Sequence, residues 1–306
     1  MDTITTEAFS DSYSTPAPIL IAGDSAAARQ RAQRTIEASG MRIGASLGLD
    51  DALGRIALQA SASAVWVELD EDQGERMDRL LDRVRSEAEE GRCPVVVAGS
   101  GALIDPLMSR LGESPVELVI DGSEMDRSAA LAIALSGAHR SDRLSDVASD
   151  QNNARLRQLS DEVSRIASTL ARLSTGPSAV PRSFVPQNDA EVPPVSAETV
   201  RSVIRARRLR SRYFADDLFA DPAWDMLLDL LQAEIAQLRV PVSSLCIAAA
   251  VPATTALRWL KTMTDNGLFV RRADPHDGRR VFVELSPQAS AAMRRYFAEV
   301  GNAAVV

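Results

Sequence analysis

From Pro18 to about Ala138, short apolar runs alternate with stretches whose apolar residues recur every three or four positions. The runs Ile19–Ala22, Met41–Ala45, Ala64–Leu69, Val95–Ala98 and Val116–Ile120 predict strands. Ala26–Ser39, Asp50–Ala60, Glu75–Glu90 and Leu103–Leu111 predict helices, and a fifth begins near Ser123 and runs through Ala129–Leu135. Five strand-then-helix units imply an α/β domain around a parallel sheet, with any site at the C-terminal ends of the strands.

Beyond Gly137 the pattern changes twice. Leu156, Leu159, Val163, Ile166, Leu170 and Leu173 are spaced by alternating threes and fours among charged neighbours, the a/d rhythm of a coiled coil. No adjacent helix is available to cover that seam, so these six residues are expected to pair two copies of the chain. So short a coil is marginal alone. Residues 175–195 then place Pro177, Pro181, Pro186, Pro193 and Pro194 among Ser, Asn, Asp and Val, the composition of a disordered, semi-extended linker.

Helical periodicity returns from Ser196 to about Phe214 and from Pro222 to about Leu238, the latter opened by Asp221-Pro222. The most specific pattern spans Val242 to Leu285. A short helix capped by Ser243 or Ser244 ends near Ala250, and Val251-Pro252 makes a turn. The second helix carries Leu257, Leu260 and Met263 on one side, with Thr254, Thr255, Arg258, Lys261 and Thr262 on the other; Asn266-Gly267 stops it. Extended runs Leu268–Arg272 and Arg280–Leu285 follow, and Ser286-Pro287 opens a closing helix. This order predicts a helix-turn-helix with a β-wing.

Composition is that of ordinary globular protein: 306 residues, 45% hydrophobic and 25% charged. No apolar run approaches the ~20 residues of a membrane span. The acidic, polar opening residues 1–17 read as a mobile tail and not as a targeting signal. Cys93 and Cys246 lie far apart in apolar surroundings, which argues against a disulfide framework or a zinc site and fits a reducing cytoplasm. The net charge of −8 changes meaning once divided. From Ser196 onward 15 basic residues face 12 acidic ones, whereas the preceding part is strongly acidic. Six arginines fall between Arg201 and Arg212, and four between Arg271 and Arg280. Local field governs attraction to phosphate, so the acidic half does not exclude nucleic acid at the other end.

In length, order and strand spacing, residues from Pro18 to about Leu135 resemble the receiver domain of bacterial response regulators. The resemblance implies acids after the first strand, an Asp acceptor ending the third, a Thr or Ser ending the fourth and a Lys ending the fifth. Here those positions fall on Asp24, Glu68, Gly99 and Asp121. Glu68 is one methylene too long, and Asp121 repels a phosphoryl group where a lysine would attract it. A fold kept without phosphotransfer is the expectation; Asp70, or a shift of register, is what would restore an acceptor. Gly99-Ser100-Gly101 fits neither dinucleotide nor P-loop spacing.

Asn266-Gly267-Leu268-Phe269-Val270-Arg271-Arg272, then Asp274-Pro275-His276-Asp277-Gly278-Arg279-Arg280, then Val283-Glu284-Leu285-Ser286 resemble the wing of the MarR family of transcription regulators. The resemblance covers about Ser196 to Val300. It implies a dimer whose second helix enters the major groove and whose wing arginine, here Arg279, reaches the minor groove, oriented by Asp274 or Asp277. A planar, weakly hydrated guanidinium suits a narrow groove.

The sequence therefore predicts a receiver-like (flavodoxin-like) α/β domain over 18–138 and a coiled-coil helix over 139–174. A linker over 175–195 and a mainly α, MarR-like winged helix over 196–306 complete the chain. The expected function is a cytoplasmic, homodimeric, double-stranded-DNA-binding transcription regulator without cofactor, metal or enzymatic activity, with a protein partner on the acidic domain and no membrane association. Thr254, Thr255, Arg258, Lys261, Arg271, Arg272, Arg279 and Arg280 are the candidate DNA contacts. The competing readings are a phosphorylation-dependent response regulator and a scaffold whose winged helix binds protein.

Overall fold

The computed structural model describes residues 17–58, 62–142, 194–214 and 216–300, with backbone alone for 137–142, 216 and 217. The expected coiled-coil residues Leu156, Leu159, Val163, Ile166, Leu170 and Leu173, and nearly all of the expected linker, lie outside the described residues.

Strands β1 (Ile19–Gly23), β2 (Ile43–Leu47), β3 (Ala64–Leu69), β4 (Val95–Gly99) and β5 (Glu117–Ile120) form a parallel sheet in the order β2-β1-β3-β4-β5. Helices α1 (Ala26–Ala38), α2 (Leu49–Leu58), α3 (Glu75–Glu89), α4 (Ile104–Leu111) and α5 (Glu124–Asp142) alternate with them. This is the doubly wound, flavodoxin-like order, in which β1, β3 and β4 are buried on both faces. Successive side chains point to opposite faces, so each strand feeds two cores. Leu20, Val65, Val67, Val95 and Val97 join the core of α2, α3 and α4, while Ile19, Ile21, Trp66, Val96 and Ala98 meet Ala32 and Ile36 of α1 and Ala130 and Leu131 of α5. Strand β2 begins two residues later than its sequence suggests. Gly40, at φ 72°, turns the chain out of α1 and lets the Met41 N–H bond the Ile36 carbonyl, so Met41 still serves the helix end.

The second unit comprises α6 (Ala197–Leu209), α7 (Pro222–Ile235), β6 (Val240–Pro241), α8 (Val242–Ala248), α9 (Ala253–Asp265), β7 (Phe269–Ala273), β8 (Val281–Leu285) and α10 (Pro287–Val300). Its three strands pair antiparallel in the order β6-β8-β7, with β6 an addition the sequence did not reveal. Helices α8 and α9 turn through 107°, within the range of helix-turn-helix pairs. Asn266 closes α9, and Gly267 follows at φ 71°. The expected serine cap of α8 is corrected: Pro241 occupies the cap position without a side-chain bond, and Ser243 turns to another partner.

The two units share one apolar core. Helix α4 packs against α8 and β8, and α9 lies against β5. Leu103, Ile104, Leu107, Met108, Leu111 and Ile120 belong to the same connected cluster as Val242, Cys246, Leu257, Val281 and Val283. Among the described residues no single helix is long and apolar enough to cross a membrane.

Candidate nucleic-acid interface

The four positions implied by the receiver resemblance occupy one end of the parallel sheet, but Glu68 does not end its strand in solvent. It is fully buried. Its carboxylate meets Arg127 Nη1 at 2.5 and 2.6 Å, Arg31 Nε at 3.1 Å and the Trp66 indole N–H at 2.9 Å. Strand alternation explains this: Leu69 closes β3, and Glu68 points to the α1/α5 side, where two arginines neutralise it. The residue at the strand end is Asp70. Its carboxylate accepts from the Ser25 hydroxyl at 2.7 Å and is paired with Arg31. Burial alone would raise its pKa, but the bonds from Ser25 and Arg31 outweigh that and hold the carboxyl below the ordinary aspartate range.

Asp24 Oδ2 accepts the Asp70 and Glu71 N–H groups at 2.8 and 2.9 Å. Gly99 ends β4 against Leu103 and Leu107. Asp121, in the left-handed region at φ 47°, accepts the Gly101 N–H at 3.0 Å. Asp24 and Asp121 are thus bonded to backbone N–H groups of neighbouring segments, while Asp24 Oδ1 is buried without a partner. Among the described residues no group of three or more His, Cys, Asp or Glu side chains is placed to hold a metal.

The eight candidate DNA contacts divide into two sets. Thr254, Arg258 and Lys261 follow one face of α9 at helical spacing, and that face looks onto β5 and the turn before it. The Thr254 hydroxyl accepts the Ile120 N–H at 2.9 Å and donates to the Ile120 carbonyl at 3.1 Å. It thereby satisfies the open backbone edge of β5. Arg258 lies 3.7 Å from Glu117, and Lys261 Nζ donates to the Ser114 carbonyl at 3.4 Å. On the hairpin, Arg271 donates to the Gly112 carbonyl. Arg279 reaches Asp72 at 2.5 Å and Asp78 at 2.8 Å.

The remaining three residues stay on the outside. Thr255 is half-buried on the flank of α9, Arg272 pairs with Glu284 at 3.3 Å across the hairpin, and Arg280 pairs with Asp277 at 3.4 Å. The expected orientation of Arg279 by the wing's own acids is corrected. Asp277 Oδ1 takes the Arg279 backbone N–H at 3.0 Å, and Asp274 Oδ1 takes that of His276. Both carboxylates are used by the turn itself, so the guanidinium pairs with acids of the first unit.

The electrostatics of this contact are mixed. Burial raises the Glu117 pKa, and Arg258 and Lys261 only partly offset it. Burial likewise lowers the Arg271 pKa, opposed by Glu113 and Asp265, whereas for Arg279 the burial effect is overcome by the bonds it donates to Asp78 and Asp72 together with their charges. The Nε atoms of Arg271 and Arg279 are buried without an acceptor. Cys246 packs in the shared core, where burial, reinforced by Asp105, pushes its thiol up to about 12.

Several residues of this contact carried no signal in the sequence. Asp105 accepts the Ser243 N–H at 3.0 Å and its hydroxyl at 2.6 Å, holding the first turn of α8 from α4. Asp72, Asp78 and Asp105 look like solvated helix-start acids, and their partners in the second unit, Arg279 and Ser243, lie more than a hundred residues away.

No family model matches the chain, and no curated protein matches it. Among solved structures, NtrX from Brucella abortus is similar over 53% of this chain at 22% identity, with a TM-score of 0.35. The chain spans 35% of that protein. Strand order, not this partial overlap, defines the receiver-like fold.

Proposed function

We propose that the chain is a DNA-binding transcription regulator in which a MarR-like winged helix contacts duplex DNA and a receiver-like domain without phosphotransfer controls it. The observation that carries this reading is the joint placement of Thr254, Arg258 and Lys261 on the second helix of a 107° pair and Arg279 at the tip of the following hairpin. Hydroxyls and long cations on a helix suit phosphates and base edges, and a hairpin guanidinium suits a narrow groove. Loss of phosphotransfer is supported by the commitment of Asp70 to Ser25 and Arg31, and of Asp24 to two backbone N–H groups. An acceptor oxygen so held is engaged by a hydroxyl and a guanidinium, which supports this part of the reading. The heptad leucines favour a homodimer, so a two-fold symmetric operator is expected.

Selection of duplexes from a random pool by the full chain at low salt tests the reading. The expected product is a palindromic site whose affinity falls steeply with salt, and Arg279→Ala weakens binding and reduces the logarithmic salt slope by about one. Retention of no duplex above background would remove the DNA reading and leave the protein-binding scaffold.

A further inference from the structure

We infer that the receiver-like domain is an intramolecular competitor for DNA, presenting to the winged helix an acceptor surface that takes the place of a phosphate backbone. This rests on the DNA reading above and specifies how that same surface is regulated. Of the eight candidate DNA contacts, Thr254, Arg258, Lys261, Arg271 and Arg279 meet oxygen acceptors of the first domain. The acceptors are the Ile120, Ser114 and Gly112 carbonyls and the carboxylates of Glu117, Asp72 and Asp78. The phosphate backbone of a duplex offers similar chemistry, oxygen acceptors along a ridge, so the two cannot occupy α9 and the hairpin together. Arg272 and Arg280, outside the contact, remain exposed cations through which a duplex first engages the hairpin.

The contact has features of a reversible latch. It sets charged and carbonyl pairings around the shared apolar core, and two guanidinium Nε atoms are buried in it without an acceptor, which costs free energy that opening to water recovers. Glu117 is held there against its own desolvation. The apolar part, α4 against α8 and β8, is what keeps the closed state populated without DNA. Apparent affinity for DNA is then reduced in proportion to the scarcity of the open form.

The test uses the full chain carrying Asp72→Asn, Asp105→Asn and Glu117→Gln together, substitutions at partly exposed positions outside the DNA-contacting set that add no cation. Two quantities are read: duplex affinity at fixed salt, and hydrogen exchange of the Ile120 amide, which in the closed form bonds Thr254. The expected result is faster exchange at Ile120 and duplex binding about tenfold tighter than wild type. Faster exchange with unchanged affinity would overturn the inference while leaving the DNA reading standing. Unchanged exchange would overturn it too, since these carboxylates would then not hold the domains together. Absence of duplex binding by both chains would instead sink the DNA reading, and the inference with it.

Discussion

Thr254 ties the domains together without charge: its single hydroxyl serves both the donor and the acceptor of Ile120 in a site 8% exposed. Thr254→Val keeps the shape and leaves both backbone groups of Ile120 unpaired. A loss of about 2 kcal/mol in urea denaturation is expected, with Thr254→Ser recovering most of it. An unchanged midpoint for the valine variant would mean that water replaces the hydroxyl. Asp70 gives a pH-dependent counterpart. Its folded pKa lies below the ordinary aspartate value, so its contribution is present above that value and is lost as pH falls through the folded one. The stability gap between wild type and Asp70→Asn should therefore be constant near neutrality and close in acid; a gap that persists in acid would contradict the Ser25 and Arg31 account.

At the scale of elements, the α4–β5 turn decides how closely the hairpin approaches. A Cβ on Gly112 would lie 2.7 Å from Arg271 Nη1 and 2.6 Å from the Met108 carbonyl oxygen. Gly112→Ala must displace the arginine or the helix end, at a cost of about 1–3 kcal/mol measurable as a lowered denaturation midpoint. This constraint shows where sequence reading stops. Strand alternation and helix stop signals are local, so β3, α9 and the closing Gly267 were legible in order and extent. That Thr254, Arg258 and Lys261 share one face of α9 was legible as well, since they recur at helical spacing. What covers that face was not. Ile120 and Thr254, or Asp72 and Arg279, are 134 and 207 residues apart, and no periodicity relates them. The same holds for Glu68: its position in an apolar strand was plain, but the half-buried Arg31 and Arg127 that neutralise it come from two separate helices.

Across the whole molecule, the division of charge acquires a structural meaning. The acidic part of the chain supplies Asp72, Asp78 and Glu117 to a surface that faces Arg279 and Arg258 of the more basic part, and Asp105 to the start of α8 at Ser243. On the proposed reading, a net charge of −8 is compatible with DNA binding, because the cationic surface is neutralised internally in the closed form. If the first domain competes with DNA as inferred, linkage makes the relation reciprocal: whatever separates the domains strengthens DNA binding, and DNA favours separation to the same degree. The most direct measurement is hydrogen exchange of the Ile120 amide in the wild-type chain, with and without saturating duplex. The account predicts that duplex binding removes its protection, as the Thr254 hydroxyl leaves the edge of β5. Full protection of Ile120 in the bound state would contradict it, because the duplex would then sit on a surface other than α9.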